Sequence, residues 1–204
     1  SGSNNMLGSG WICNGGNTCN YGVNNRLTIS ACHVTSQADM NFSGCGIIGG
    51  GNGYNGTFGN LEIHSCSVSC SGNIYIYESG IAGGSNGLGG QAGDITLDNC
   101  QISCGGDFYA FDGILGGINQ GDTATNSCNI YGCNISSSGS MTVHAAGIMG
   151  SENTYKAIHM ENCNLLAGGH LQITSSGTIM ENSYYPVFSA GIMGGSNPTD
   201  KISI

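Results

Sequence analysis

The sequence predicts an all-β fold: a parallel β-helix (β-solenoid) of about five coils, built from repeats of 30–34 residues. Three observations predict it. A "GI-x-G" tail recurs at Gly46, Gly80, Gly113, Gly147 and Gly191, in steps of 34, 33, 34 and 44 residues. A cysteine column (Cys32, Cys66, Cys100, Cys133, Cys163) and an asparagine column (Asn52, Asn86, Asn119, Asn153, Asn197) run in step with that tail. Within each repeat the apolar residues alternate with polar ones, and no stretch keeps a helical period over three turns.

Taken in order, residues 1–25 precede the first complete coil and are expected to form a partial coil or cap, because GWICNGGN loosely echoes the GI-x-GG-x-N tail. The repeats then occupy 26–200. Each opens on an apolar pair: Leu27 and Ile29, Leu61 and Ile63, Ile95 and Leu97, Cys128 and Ile130, Ile158 and Met160. A second alternating run follows, with Met40 and Phe42 matched by Ile74 and Ile76, Phe108 and Ala110, Met141 and Val143, Leu171 and Ile173. Gly, Ser and Asn clusters between the runs are turn signals. One coil cannot bury its own apolar face; stacking joins the faces into one core. The fifth repeat carries an insertion near residues 174–187, and 201–204 starts a further strand.

In a stack of coils the columns become ladders of like residues. The asparagine column reads as a buried amide ladder, each side chain bonding its like one coil on; the alternative is that Asn simply suits a turn. Cysteines held in register read as small buried apolar residues, since parallel side chains in one ladder seldom meet disulfide torsions. Cys13 and Cys19 differ: CNGGNTC closes a small loop outside the repeat, and a disulfide is expected there, which implies an oxidising compartment.

Composition narrows the function classes. Charged residues make up 7% of the chain, against roughly 25% in ordinary soluble domains, and the formal net charge is −9. Three basic residues cannot neutralise a phosphate backbone, so nucleic acid is a poor partner, as are anionic membrane surfaces and polyuronate substrates. No apolar run of about 18 residues predicts a membrane span. No cofactor motif stands out: GNGYNG (51–56) matches GxGxxG without a helix to follow, and no Cys/His cluster has zinc spacing. Calcium at Asp94, Asp107 or Asp122 is disfavoured because the matched Gly-rich corner carries neutral Asn. Sequons stand at Asn41, Asn55 and Asn134.

Candidate chemistry is sparse. An outward aromatic stripe, Tyr75 and Tyr109 with Tyr77, Phe111 and His144, suits stacking on sugar rings or simply stabilises the sheet. Tyr184 and Tyr185 in the insertion extend that candidate surface. Glu78 and Asp112 occupy matched positions, the hardware of glycoside hydrolysis, though two solvated acids near a turn read the same way. His64 stacks on Asp98, with Tyr131 and Glu161 further along. That pair suits orientation of a base, but no nucleophile lines up with it.

At GDITLDNCQISCGG…DGILGGINQG the chain resembles the Gly-rich repeats of secreted and surface proteins, including the GLUG-type adhesin repeats. The likeness covers residues 26–200. It implies a β-solenoid at the cell surface or outside the cell, adhesive or carbohydrate-binding, with no shared catalytic motif. The expectation is therefore a non-enzymatic structural or adhesive element. It is expected to pair head to tail with itself or with flanking repeats, with glycans as the alternative partner and a glycoside hydrolase as a weaker one.

Overall fold

The computed structural model of the chain describes residues 4–7, 10–13, 23–43, 46–48, 51–52, 57–77, 85–86, 91–110, 118–120, 126–144, 152–174 and 201–203. Side-chain surroundings are described within 26–42, 59–76, 93–110, 126–143 and 155–172. These residues form strands and turns with no helix, and the strands pair in parallel, coil on coil. The architecture is the parallel β-solenoid that the repeats predict.

Each coil carries three main strands where the sequence signalled two. In the third coil they are Ile95–Asp98, Gln101–Cys104 and Phe108–Ala110. The first sheet stacks Ile95 between Leu61 and Cys128. The second stacks Ile102 between Val68 and Ile135, and the third stacks Phe108 between Ile74 and Met141. A short fourth strand carries the asparagine column: Asn52, Asn86, Asn119 and Asn153 are consecutive register partners. The middle strand escaped the sequence reading because its inward positions mix thiols and hydroxyls with Val68, Ile102 and Ile135, so its alternation is weak in hydropathy.

Alternation puts one side-chain set inside. Ile29, Ile63, Leu97, Ile130 and Met160 form one buried row, and Met40, Ile74, Phe108 and Met141 another. Cys66, Cys100 and Cys133 lie wholly inside, while Cys32 and Cys163 at the two ends of their column are partly buried.

Two corners set the shape of the coil. At the first, one residue per coil adopts the left-handed conformation: Ala31, Ser65, Asn99, Gly132 and Asn162, with φ between 53° and 60°. An L-residue there costs roughly 1–2 kcal/mol; Gly132 escapes that cost, Asn99 and Asn162 belong to a type that tolerates the conformation, and Ala31 and Ser65 bear it. The next residue is always the column cysteine, whose thiol donates back across the corner to the carbonyl two residues before it. Cys66 Sγ reaches His64 O at 3.4 Å and Cys133 Sγ reaches Tyr131 O at 3.5 Å.

At the second corner a polar ladder runs from coil to coil. Asp39 Oδ1 accepts the Asn73 N–H (2.7 Å), Asn73 Oδ1 the Asp107 N–H (2.8 Å), and Asp107 Oδ1 the Ser140 N–H (2.7 Å). Gly72, Gly106 and Gly139 precede these donors because a Cβ there would collide with the accepting oxygen. The other cysteine column closes the same corner. Cys70 and Cys104 donate to the carbonyl two residues on, as the hydroxyls of Ser36 and Ser137 do in neighbouring coils.

The fourth coil is shorter. Tyr155 and Lys156 alone link Glu152–Thr154 to Ala157–Glu161. Tyr155 enters the core completely, and its hydroxyl finds no hydrogen-bond partner.

Candidate functional site

The outward rows of the three sheets differ in chemistry. The first sheet presents Arg26, Glu62, His64, Asp98, Tyr131, His159 and Glu161. The second presents Ser67, Gln101 and Asn134 beside Thr35, Ser69, Ser103 and Ser136. The third presents Asn41, Tyr75, Tyr109, Thr142 and Gln172. Of the three main sheets, the first carries the described acidic strand residues together with Arg26, His64 and His159; the second adds the exposed His33 and Leu166 to its amides and hydroxyls, and the third ends one strand on His144 beside its amides, hydroxyls and tyrosines.

The first face holds an ionic row. Arg26 Nη2 meets Glu62 Oε2 at 2.6 Å, and Thr28 Oγ1 donates to the same oxygen at 3.4 Å. The hydrogen bond from the Arg26 guanidinium holds the Glu62 carboxyl below the usual carboxylate range. His64 lies between two carboxylates, with Nδ1 3.6 Å from Asp98 Oδ2 and Nε2 3.9 Å from Glu62 Oε2. Asn99 Nδ2 donates to Asp98 Oδ1 at 2.9 Å, which orients that carboxylate. Further up the stack, the rings of Tyr131 and His159 lie 5.5 Å apart, and His159 Nε2 is 3.7 Å from Glu161 Oε2. The His64 and His159 contacts, at 3.6–3.9 Å, are ion-pair distances beyond direct hydrogen-bond reach. The row is suited to holding a charge pattern across coils.

The tyrosines of the stripe are direct register neighbours, Tyr75 on Tyr109, with Asn41 below and Thr142 above. Tyr77 pairs with Ser43 at the end of its strand. Phe111, Tyr184 and Tyr185 lie outside the described residues, as do Glu78, Asp112, Asp122, Asn55, Asn197 and Cys19. Cys13 ends the strand Gly10–Cys13. Asp94 and Asp107, weighed for calcium, serve the coil instead: Asp94 Oδ1 accepts the Ser127 N–H at 2.8 Å, and Asp107 belongs to the corner ladder. No group of three or more His, Cys, Asp or Glu side chains that would hold a metal occurs among the described residues. At the Asn134 sequon the side-chain nitrogen donates to Gly132 O (3.0 Å) while Oδ1 accepts from Asn164 Nδ2 (2.8 Å).

Two ladders were not singled out from sequence. The left-handed corner residues precede the cysteine column by one place, and the Asp39–Asn73–Asp107–Ser140 ladder precedes the third strand by one. Both are visible as columns at the repeat spacing, but their residue types vary from coil to coil. No family model, no curated protein and no solved structure matches this chain.

Proposed function

We propose that the chain is a non-enzymatic structural and adhesive β-solenoid, extracellular or at the cell surface, that extends end to end with a further copy or with flanking repeats. The observation that carries this reading is the repetition of the outward rows. Side chains stand in straight register columns about one strand spacing, ~4.8 Å, apart, a surface suited to a repeating partner. The polar groups at the corners hang one coil on the next and do not converge on a point. His33–Ser36 and Asn164–Ala167 are the outer strands of the second sheet among the described strands, and Leu166 and Leu171 of the fifth coil are exposed. Open parallel edges are templates for pairing, and a head-to-tail contact that does not close gives a filament. Electron microscopy and light scattering across a concentration series test this. Concentration-dependent filaments support it; a strict monomer at every concentration defeats the assembly part.

A second reading is a carbohydrate-binding module. The Tyr75–Tyr109 pair on a face without described charges favours it, since tyrosine faces stack on sugar rings. A glycan array with the native chain and with Tyr75→Ala/Tyr109→Ala separates the two. Binding to neutral glycans that the double variant loses would support this module.

A further inference from the structure

The cysteine column has a geometry that its apolar reading does not use. Each column cysteine's carbonyl accepts from the residue that follows the cysteine of the next coil: Ser67 N–H to Cys32 O (2.9 Å), Gln101 N–H to Cys66 O (2.9 Å), Asn134 N–H to Cys100 O (2.9 Å) and Asn164 N–H to Cys133 O (3.1 Å). The five side chains therefore stand in register at the strand spacing, about 4.8 Å. All five thiols are free. Each sulfur lies 3.4–3.7 Å from the carbonyl two residues before it, and those of Cys66, Cys100 and Cys163 also approach a carbonyl of the coil below, Ile29 O, Ile63 O and Ile130 O, at 3.9, 3.5 and 3.7 Å.

That spacing selects what can bridge two sulfurs. A disulfide needs Cβ atoms about 3.8 Å apart and sulfurs about 2.05 Å apart, so parallel neighbours stand too wide. Two collinear metal–thiolate bonds of about 2.3 Å, the zinc value, span roughly 4.6 Å, which fits. Zinc itself requires four ligands, and no three His, Cys, Asp or Glu side chains gather for it among the described residues. A straight row offers two ligands, face to face. Soft ions of d10 configuration and low charge accept linear two-coordination by thiolates, the ligand class that selects Cu(I).

We propose that the column Cys32–Cys66–Cys100–Cys133–Cys163 binds monovalent d10 ions, Cu(I) or Ag(I), in linear sites between thiolates of successive coils. The ion enters already monovalent, so no electron is transferred. Two S–H bonds break, two S–metal bonds form, and two protons leave to solvent for each ion bound. The resulting S–metal–S unit carries one net negative charge. The first ions accordingly occupy the end pairs, Cys32 with Cys66 and Cys133 with Cys163, where one sulfur is only partly buried. Burial pushes the Cys66 thiol up to about 11, so the ion must displace the protons, as binding to deprotonated ligands requires.

Five thiols in a row form at most two separate pairs, and this gives a parity rule. Cys66→Ser or Cys133→Ser leaves one pair and loses one ion. Cys66→Ser/Cys133→Ser leaves three sulfurs two coils apart and loses two. Cys32→Ser loses none, because Cys66–Cys100 and Cys133–Cys163 remain. Serine suits the site, since Ser36 and Ser137 hold the matching place in the other column and bond across its corner at 3.0 and 3.1 Å.

The test is an anaerobic titration of the native chain and the four variants with Cu(I) against a chromogenic chelator. Ag(I) is the redox-inert repeat, with proton release recorded and circular dichroism confirming the fold. The expected result is the loss pattern one, one, two and none, with two protons per lost ion. An unchanged stoichiometry in the double variant overturns the proposal, as does ion uptake that begins only when the strand signal is lost. Should the double variant not fold, Cys32→Ser against Cys66→Ser decides: equal stoichiometry in the two overturns it.

Discussion

Tyr155→Phe should stabilise this protein. The ring of Tyr155 is wholly buried, with the hydroxyl sealed from solvent and unpaired. A buried polar group without a partner costs about 1–3 kcal/mol, and phenylalanine keeps the ring that fills the corner. The expected gain at neutral pH is about 1–2 kcal/mol, allowing for a small void where the oxygen stood. Alkaline pH adds a second reading. Burial, reinforced by Cys128 and Asp94 nearby, raises the phenol well above its ordinary value of 10.0. The folded state thus holds the proton more tightly than the unfolded state does. That contribution is complete below pH 10.0 and is lost as pH rises from there towards the folded value. Buried thiols such as Cys66 and Cys104, pushed up to about 11 by burial, also weaken the fold at high pH. The difference between wild type and Tyr155→Phe isolates the phenol. Urea denaturation from pH 7 to 11 measures both effects. A variant less stable than wild type at pH 7, or one with the same alkaline decline, would refute the reasoning.

Other outcomes follow from the corners and the first face. Ala31→Gly should raise stability by about 0.5–1 kcal/mol, the relief of a left-handed alanine less the extra chain entropy of glycine; Gly132→Ala should lower it by more than that, since its Cβ would also press on Asn99 Oδ1, both read by urea denaturation. Asn73→Ala removes the acceptor of the Asp107 N–H and should cost about 1 kcal/mol, with faster amide exchange at Asp107 as the local signature. The Glu62 carboxyl, held low by Arg26, should titrate higher in Arg26→Ala when followed by NMR. Its pairing stabilises the fold above the unfolded carboxylate range and is lost as pH falls through the lowered value. Cys66, fully buried with a raised pKa, should resist alkylation in the native protein and react once unfolded; rapid native labelling would contradict the buried column.

What the sequence determined by itself was the coil. Matched apolar pairs such as Ile95 and Leu97 every 30–34 residues require strands of one register, and the cysteine and asparagine columns require that register to be parallel. That information is local and repeated, so it survives without any knowledge of neighbours. The middle strand was faint because thiols and hydroxyls occupy inward places there, at corners where Cys70, Cys104 and Ser137 donate hydrogen bonds to carbonyls. The tertiary structure alone decided how the columns divide among faces. Only the corners turn Glu62, His64 and Asp98 onto one sheet and Tyr75 with Tyr109 onto another. It likewise decided that Tyr155 is interior: the two-residue link between Glu152–Thr154 and Ala157–Glu161 holds its side chain inside the stack, where Cys128 of the adjoining coil, distant in sequence, bears on its phenol. A periodic pattern fixes which residues share a row; the direction each row faces depends on backbone torsions at two corners, and those torsions are held by hydrogen bonds between coils.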